Sequence, residues 1–292
     1  MLYRDWYSQY MTVYKTKLAP RTREEYDRQQ RKYLAPILGA KDLTVITPED
    51  VQLCLVLAAD RGGPRQSQAV YSLIHAVLRR AYRSRLILWN PVDAIDKPEH
   101  DQVQGKMLTS ADLAAALPFI RQELSVSLAL YAGLRRCEIS GLQWGDVDLG
   151  AGLLRIRRQR QRSRGEILVR VTKSGAGLRD VPIAPELRPL LKHRFKLLPS
   201  AWVIPQAPEY PGHLWAQMQK DDLDLSQHYR LHDLRHHYGS DLILKGANYK
   251  AVSYLMGHSS LEVTLGVYSH IYPEQAADEA RRVYGEASLT AL

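Results

Sequence analysis

The chain has 292 residues, 45% of them hydrophobic and 24% charged, with 40 Lys and Arg against 31 Asp and Glu. This apolar content excludes a disordered chain, and no apolar run reaches the ~18 residues of a membrane-spanning helix. Two cysteines, Cys54 and Cys137, exclude a disulfide framework or a zinc knuckle, so a soluble cytoplasmic protein is expected. The net charge of +9 makes a polyanion the first partner to consider, although charge alone does not decide it.

The first ninety residues predict helices in succession. Large apolar residues recur at three- and four-residue spacing on one face of the first helix: Leu2, Trp6, Tyr10 and Val13. A second helix is expected to begin at Thr22, because Thr22 and Glu25 have the spacing of a capping box, and to end near Gly39.

Two further helices complete this region. Thr47 is placed to cap the third helix, with Pro48 at its first position, and Gly62-Gly63 ends it. The fourth runs from about Gln66 to Leu86, and arginines cluster near its end: Arg79, Arg80, Arg83 and Arg85. For any one of them, a solvated final turn favoured by the helix dipole is the ordinary explanation.

The composition changes between Asn90 and Lys106, where prolines, scattered charges and little apolar material predict a linker. We therefore expect a helical domain at residues 1–98, a linker at 99–106 and a second domain at 107–292. The basic excess is shared, with 16 Lys and Arg against 11 Asp and Glu in the first hundred residues and 24 against 20 in the remainder. Both domains can therefore contact one polyanion.

The second domain is predicted to be mainly helical with a small antiparallel sheet, an α+β fold. A helix starts at Thr109 or Ser110, an apolar helix covers about 124–132, and a short helix follows the turn at Gly133. Period-two patterns then suggest three short strands, with turns at two places and helices after them: strands at 153–156, 167–171 and 181–183, turns at 164–165 and 174–177, helix ends at Gly246 and Gly257, and a tail helix from Pro273.

Four local signals in this domain can carry chemistry, and each is weak alone. Arg135 and Glu138 stand three apart after the Gly133 turn, a pattern more often explained by a surface ion pair. Lys173 lies in a glycine-rich hairpin turn, where a solvated lysine is ordinary.

The third signal places His232, Arg235 and His236 on one side of a helix. Two interpretations compete: the histidines ligate a metal, or His232 and Arg235 face an anion. The metal interpretation lacks the Glu of H-E-x-x-H and a further ligand, so no metal site is predicted. The fourth signal runs from Gly257-His258 to Thr264 and Tyr268; with 17 Tyr and 2 Phe in the chain, one tyrosine is usually a packing residue.

The order of these signals is informative. Arg135 with Glu138, Lys173, His232-x-x-Arg235, Gly257-His258 and Thr264-x-x-x-Tyr268-x-His270 follow each other as in the tyrosine recombinase, or phage integrase, family. The first domain resembles the core-type DNA-binding domain of that family, including Pro20-Arg-Thr-x-x-x-Tyr26 and Leu34-x-Pro-x-Leu-Gly39. The chain therefore resembles a compact two-domain member, in which the core-type pattern begins almost at Met1 and leaves no room for an arm-binding domain.

The resemblance implies how the scissile phosphate is held. Arg135 and Arg235 would clamp it through bidentate hydrogen bonds, which lysine cannot replace. Glu138 would support Arg135, and His258 would add a hydrogen bond to the phosphate.

The resemblance also implies the covalent chemistry. Tyr268 would attack with His232 as general base, giving a 3′-phosphotyrosyl bond, while Lys173 protonates the departing 5′ oxygen. Tyr272 is the rival nucleophile, and Tyr268 is preferred because Ser269-His270 completes the motif. No metal, ATP or other cofactor is implied.

The partners implied are double-stranded DNA with specific recombination sites and a homo-tetramer assembled on two of them. The tail at 273–292 either docks on a neighbouring protomer or caps its own domain, and an accessory excision or DNA-bending factor is left open. No membrane is involved, and the protein would act at the nucleoid or, if phage-encoded, in the host cytoplasm. DNA phosphate contacts are expected from two arginine clusters: Arg79, Arg80 and Arg83, and Arg158, Arg160 and Arg162 of an arginine-rich strand.

The spacing of ten between His258 and Tyr268 favours an integrase of a phage or other mobile element. The alternatives are an Xer-type recombinase that resolves chromosome dimers, a non-catalytic DNA-binding relative and a metal-dependent nuclease. The complete residue set argues against the non-catalytic relative.

Overall fold

The computed structural model of the protein describes residues 1–99, 105–171 and 177–268. The chain divides into two compact units, Met1–Val103 and Gln104–Leu292. Residues 100–104 of the predicted linker lie outside the described residues, so the linker bounds stay a prediction. Within the described ranges, no helix combines the length and apolar content needed to cross a membrane.

The first unit is helical, as predicted: α1 Tyr3–Gln9, α2 Pro20–Gln29, α3 Ala35–Leu38 and α4 Pro48–Arg83, with wider π-type turns at Tyr10–Tyr14 and Gln30–Leu34. Its core forms where the apolar faces of α1, α3 and α4 meet, around Trp6, Leu38 and Ile74. The predicted start of α2 at Thr22 is wrong. The helix begins two residues earlier because the fixed φ of Pro20 suits the first helical position.

Helix α4 contains both the third and the fourth predicted helices. Its start is the predicted cap: the Thr47 hydroxyl accepts a hydrogen bond from the Asp50 N–H at 3.3 Å, and the Asp50 carboxylate accepts one from the Thr47 N–H at 3.2 Å. Gly63 breaks the helix with a φ of 77°, as Gly62-Gly63 predicted, and Pro64 restarts it.

The second unit has eight further helices in its described part: α5 Ser110–Ile120, α6 Leu124–Ala132, α7 Arg136–Gly141, α8 Leu187–Arg194, α9 Tyr210–Asp221, α10 Leu231–Leu244, α11 Tyr249–Met256 and α12 Leu261–Tyr268. Helix α6 is buried along almost its whole length and is packed by α8, α9 and α10. A central apolar helix of this kind fixes the elements around it. The ends of α6, α10 and α11 therefore have defined positions relative to one another.

The predicted antiparallel sheet is confirmed, but its strands form two sheets rather than one. Strands β1 Val147–Asp148, β2 Leu153–Ile156 and β5 Arg179–Pro182 form one in the order β1-β2-β5, while β3 Arg158–Ser163 and β4 Glu166–Val171 form a hairpin. The predicted hairpin turn is present, with positive φ values of 50° at Arg164 and 81° at Gly165. Residues 172–176, which include Lys173 and most of the second predicted turn, lie outside the described residues.

Candidate active site

The turn between α6 and α7 brings Arg135 and Glu138 together. Gly133 ends α6 in the left-handed region at a φ of 61°, and a Cβ there would lie 2.4 Å from the ring of Tyr238. Arg135 follows as the cap of α7 and donates to the Glu138 carboxylate from its backbone N–H and its guanidinium, both at 2.9 Å. The Glu138 side chain is 1% exposed and that of Arg135 30%, so this is not an ordinary surface ion pair.

Glu138 is the centre of a buried cluster of three arginines. Arg179 of β5 donates both terminal nitrogens to its two carboxylate oxygens, at 3.0 and 2.8 Å. Arg235 of α10 places a terminal nitrogen 3.9 Å from the same carboxylate. Burial by itself raises the pKa of Glu138, but Arg179 and the other two guanidiniums outweigh it and bring the pKa to about 2. The carboxylate is therefore ionised at neutral pH.

The same three guanidiniums bind the end of α11. Three successive carbonyl oxygens there each accept one hydrogen bond: Leu255 from Arg179 at 2.7 Å, Met256 from Arg235, and Gly257 from Arg135 at 2.7 Å. Arg235 also donates to the carbonyl of Gly133. The last carbonyls of a helix lack partners within it and carry the negative end of its dipole, so guanidiniums are suited to them. The residues just before His258 are thereby fixed to the arginine cluster.

His258 links this cluster to α12. Its Nδ1 lies 2.8 Å from the hydroxyl of Thr264, which is fully buried one helical turn before Tyr268. Desolvation, followed by the charges of Arg235 and Arg135, lowers the pKa of His258 to about 4, so the ring is neutral at neutral pH. Tyr268 is the last residue of α12, and its side chain lies outside the described part of the structure.

His232 lies at the start of α10, on the helix that carries Arg235. Its ring meets that of His236 edge to face, with centroids 4.6 Å apart. Desolvation, then His236 and Arg235, lowers the pKa of His232 to about 4. Beside it opens a cleft of about 440 Å³, whose polar lining includes Arg136, His213 and Arg230. His232 is thus in contact with a cleft that has basic residues in its lining.

Asp233 follows His232 on α10, but its carboxylate has other partners. The carboxylate of Asp233 accepts hydrogen bonds from the Arg230 guanidinium and from the Lys106 N–H, so it is held by cations and backbone. Within the ranges the structure describes, no group of three His, Cys, Asp or Glu side chains is placed to hold a metal ion. Guanidiniums suit a phosphate, which they bind through charge-assisted hydrogen bonds.

Two family models match the chain: the phage integrase family over residues 99–275, and the phage integrase N-terminal SAM-like domain over residues 2–54. The chain belongs to the phage integrase family. The resemblance inferred from the ordered motifs is therefore confirmed.

Relatives with known names agree with this membership. The chain is 25% identical over 282 residues to a tyrosine recombinase of Thermosipho africanus (strain TCF52B), covering 90% of this chain and 93% of the relative. Its fold is similar to that of the Tn1549 transposon integrase in complex with a circular intermediate DNA, with a TM-score of 0.81 and 20% identity over 97% of this chain and 99% of that one. It is also similar to a lambda integrase tetramer bound to a Holliday junction, with a TM-score of 0.66 and 17% identity over 88% and 77% of the two chains. At these identities the structural likeness shows a shared fold.

Most of the predicted catalytic residues that the structure describes lie close together. Arg135, Glu138, Arg235 and His258 form one connected cluster, and His232 lies three residues before Arg235 on α10. Lys173, His270, Tyr272 and the predicted tail helix lie outside the described residues, and their roles stay predictions.

The arginine-rich strand has a different environment from the one expected. Arg160 is 4% exposed, donates to the carbonyls of Ile204 and Gln206, and stacks on Trp202 at 4.8 Å. The guanidinium of Arg160 is therefore buried and hydrogen-bonded within the unit. The prediction that Arg160 contacts a DNA phosphate is withdrawn. Its neighbours in β3 also have acidic partners: Arg158 pairs with Asp146 at 2.6 Å and Arg162 with Glu209 at 3.5 Å.

The arginines near the end of α4 keep a more open setting. Arg79 and Arg83 are exposed, and Arg80 lies over the ring of Tyr14 with 3.9 Å between the guanidinium carbon and the ring centroid. Tyr14, Lys15 and these arginines line a cleft of about 370 Å³. The predicted phosphate contacts of Arg79, Arg80 and Arg83 stay a prediction, and their surface is both basic and lined by aromatic rings.

Sequence reasoning missed Arg179. A signal was present, because Arg179 alternates with the buried Val181 along β5 and therefore belongs to the inner face of the strand. A buried arginine needs hydrogen-bond acceptors for its guanidinium, and the carboxylate of Glu138 was one candidate. Thr264 was noted as part of a motif, but its hydrogen bond to His258 was not foreseen.

Proposed function

We propose that the protein is a site-specific DNA recombinase that cuts and rejoins DNA through a phosphotyrosyl bond on Tyr268. The observation that carries this proposal is the buried Glu138 carboxylate that orients Arg135 and Arg235 beside two neutral imidazoles. Displacement at a phosphodiester places additional negative charge on the non-bridging oxygens, and fixed guanidiniums stabilise that charge. The Arg135 guanidinium is partly exposed and would contact the phosphate first, while the buried Arg235 supplies charge behind it.

In the proposed reaction, the phenol oxygen of Tyr268 attacks the scissile phosphorus and the bond to the 5′ oxygen breaks. His232 accepts the phenol proton, and Lys173 donates a proton to the leaving 5′ oxygen. A bound phosphate raises the pKa of a neighbouring histidine, which moves His232 from about 4 towards the working pH of a general base. His258 donates a hydrogen bond to the phosphate from the ring nitrogen that does not face Thr264.

The second half of the reaction rejoins DNA. The phosphotyrosyl bond retains the free energy of the phosphodiester, so a 5′-hydroxyl from another strand attacks it and releases Tyr268 without ATP. Exchange of two duplexes requires four active protomers, and we propose a homo-tetramer on two recombination sites. The lambda integrase tetramer on a Holliday junction, which shares this fold, supports that assembly.

We further propose that the first unit is the core-type DNA-binding domain. The match of residues 2–54 to a phage integrase N-terminal SAM-like domain supports this, as does the basic surface at Arg79, Arg80 and Arg83. Their charge would position the duplex without reading its sequence.

The covalent intermediate provides the decisive test. A nicked duplex, with a site selected from a randomised library by repeated binding to the protein, is incubated with the protein in EDTA. We expect a covalent protein–DNA adduct that Tyr268→Phe abolishes and Tyr272→Phe retains. An adduct that persists in Tyr268→Phe contradicts the nucleophile, and a requirement for added Mg²⁺ contradicts the mechanism.

We propose that the protein integrates or excises the DNA of a phage or other mobile element. The ten-residue spacing of His258 and Tyr268 supports this over Xer-type resolution of chromosome dimers. Plasmids carrying two different selected sites, or two direct copies of one site, distinguish the two. Preferential joining of the different sites is expected of an integrase, and resolution of identical copies alone would favour the Xer alternative.

A further inference from the structure

We propose that Arg179 is a positioning residue for the recombination reaction, fixing both the Glu138 carboxylate and the end of α11 so that Arg135 and His258 are aimed at the scissile phosphate, with the charge of the buried Arg235 behind them. This inference rests on the proposed function. It assigns a role to a residue that none of the catalytic motifs contains.

The guanidinium of Arg179 is fully used by the site. Its side chain has no exposed surface, and each of its three nitrogens donates a hydrogen bond. The two terminal nitrogens grip both oxygens of Glu138, and Nε binds the carbonyl of Leu255 at 2.7 Å. A guanidinium buried in this way cannot contact DNA, so any effect on the reaction must pass through its partners.

The bidentate grip fixes the plane of the Glu138 carboxylate. The same two oxygens receive Arg135: Oε1 accepts from its guanidinium and Oε2 from its backbone N–H. If Arg179 were lost, Arg135 alone would hold the carboxylate, so the two side chains could shift together. Arg179 also contributes strongly to keeping the pKa of Glu138 low, so its loss favours protonation of that carboxylate.

The hydrogen bond from Arg179 to the carbonyl of Leu255 also helps to fix the position of His258, which follows the end of α11. Arg179 lies on β5 opposite Ile156 of β2, so its backbone is anchored in the sheet. The next residue, Asp180, donates its N–H to the hydroxyl of Tyr254 at 3.3 Å, which gives β5 a second contact with α11. The end of α11 is therefore held to the sheet three and four residues before His258.

Arg179→Lys tests the inference with the charge retained and the bidentate geometry lost. The readouts are single-turnover adduct formation on the selected duplex, DNA affinity and thermal unfolding. We expect cleavage to fall about 10- to 100-fold with DNA affinity within about twofold of wild type, because small misplacements of catalytic groups have effects of this size. The acid limb of the pH–rate profile should also move to higher pH as Glu138 takes up a proton more readily.

A double-mutant cycle with Glu138→Gln shows whether Arg179 acts through Glu138. If it does, the double variant cleaves no more slowly than the slower single variant. Arg160→Met is the matched control, because Arg160 is also a buried arginine of this unit but makes no contact with Glu138. Its effect should combine additively with that of Glu138→Gln.

Each outcome decides between the inference and its alternatives. Wild-type cleavage by Arg179→Lys overturns the inference while the recombinase proposal stands. A fall in cleavage proportional to the loss of folded protein, or an additive cycle, also overturns it and leaves Arg179 purely structural. Absence of an adduct in the wild-type protein is the separate result that overturns the proposed function itself.

Discussion

The hydroxyl of Thr264 lies 2.8 Å from Nδ1 of His258, and it is fully buried. A neutral imidazole has one donor and one acceptor nitrogen. If the Thr264 hydroxyl donates to Nδ1, the proton of His258 is on Nε2, where it can be donated to a phosphate. In that arrangement His258 has the tautomer that the proposed reaction needs.

Thr264→Val should therefore slow cleavage while leaving DNA binding unchanged. The substitution keeps the shape of the side chain and removes one hydrogen bond worth about 1 kcal/mol, equivalent to a fall of about fivefold to tenfold in rate. Single-turnover adduct formation measures it, with Thr264→Ser as the matched control that keeps the hydroxyl. Equal losses in the two variants would contradict the tautomer argument.

Stability should depend on pH in part through His232 and His258, two of the four described histidines whose pKa values are lowered. The pKa values of His232 and His258 are about 4 in the folded chain against an ordinary 6.5. Between these values the unfolded chain binds more protons, so the free energy of unfolding rises with pH from about 4 to about 6.5 and then levels off. The stability is fully present above pH 6.5 and is lost as the pH falls through 4.

Urea unfolding at several pH values between 4.5 and 7.5 checks this prediction. A variant with both His232→Gln and His258→Gln should give a flatter profile in that window. Carboxylates with lowered pKa values, such as Glu138, change the free energy of unfolding at lower pH. Their contribution can therefore be distinguished from that of the histidines. A double variant with the wild-type slope would contradict the assignment.

Substitutions of Arg83 and Arg235 should have different effects, the first on DNA affinity and the second on the rate of cleavage. Arg83→Ala removes an exposed charge and should weaken binding, lowering the slope of log affinity against log salt by about 0.9 for one phosphate contact. Arg235→Lys should retain most of the binding and reduce cleavage at saturating DNA by about 100-fold or more. Fluorescence anisotropy across a salt series and adduct formation measure the two effects. Equal proportional losses of binding and cleavage in Arg235→Lys would contradict the division.

Two glycines with positive φ should differ in their sensitivity to substitution. Gly246→Ala introduces strain of about 1 kcal/mol, because its φ is 87° but no atom lies within 4 Å of the added Cβ. Gly133→Ala introduces similar strain and drives the Cβ into the Tyr238 ring, which should add about 2 kcal/mol. Chemical unfolding of both variants gives the comparison. A Gly133→Ala variant as stable as Gly246→Ala would show that the ring moves freely.

Local chemistry made much of the fold predictable. Thr47 and Asp50 satisfy each other's backbone donors, and Gly133 and Gly257 adopt the left-handed geometry that ends helices. The Thr22 prediction failed because a second local signal, Pro20, set an earlier start. At α2, the residue that restricts φ directly set the start.

The site was predictable in its residues but less so in its contacts. The order of Arg135, His232, Arg235 and His258 identified the family, and the structure connects two of them, Arg135 and Arg235, through Glu138. The prediction that Arg160 contacts DNA failed, because a run of basic residues does not show which side chains are buried and bind backbone carbonyls. Such choices depend on tertiary neighbours far away in the sequence.

The three carbonyls at residues 255–257 also bear on when the activity can arise during synthesis. Their guanidinium partners come from three separate segments, and Arg135 reaches Gly257 across 122 residues of chain. These contacts cannot form until the ribosome has released the chain beyond Gly257. An emerging polypeptide therefore cannot complete this arrangement of arginines until α11 has been made.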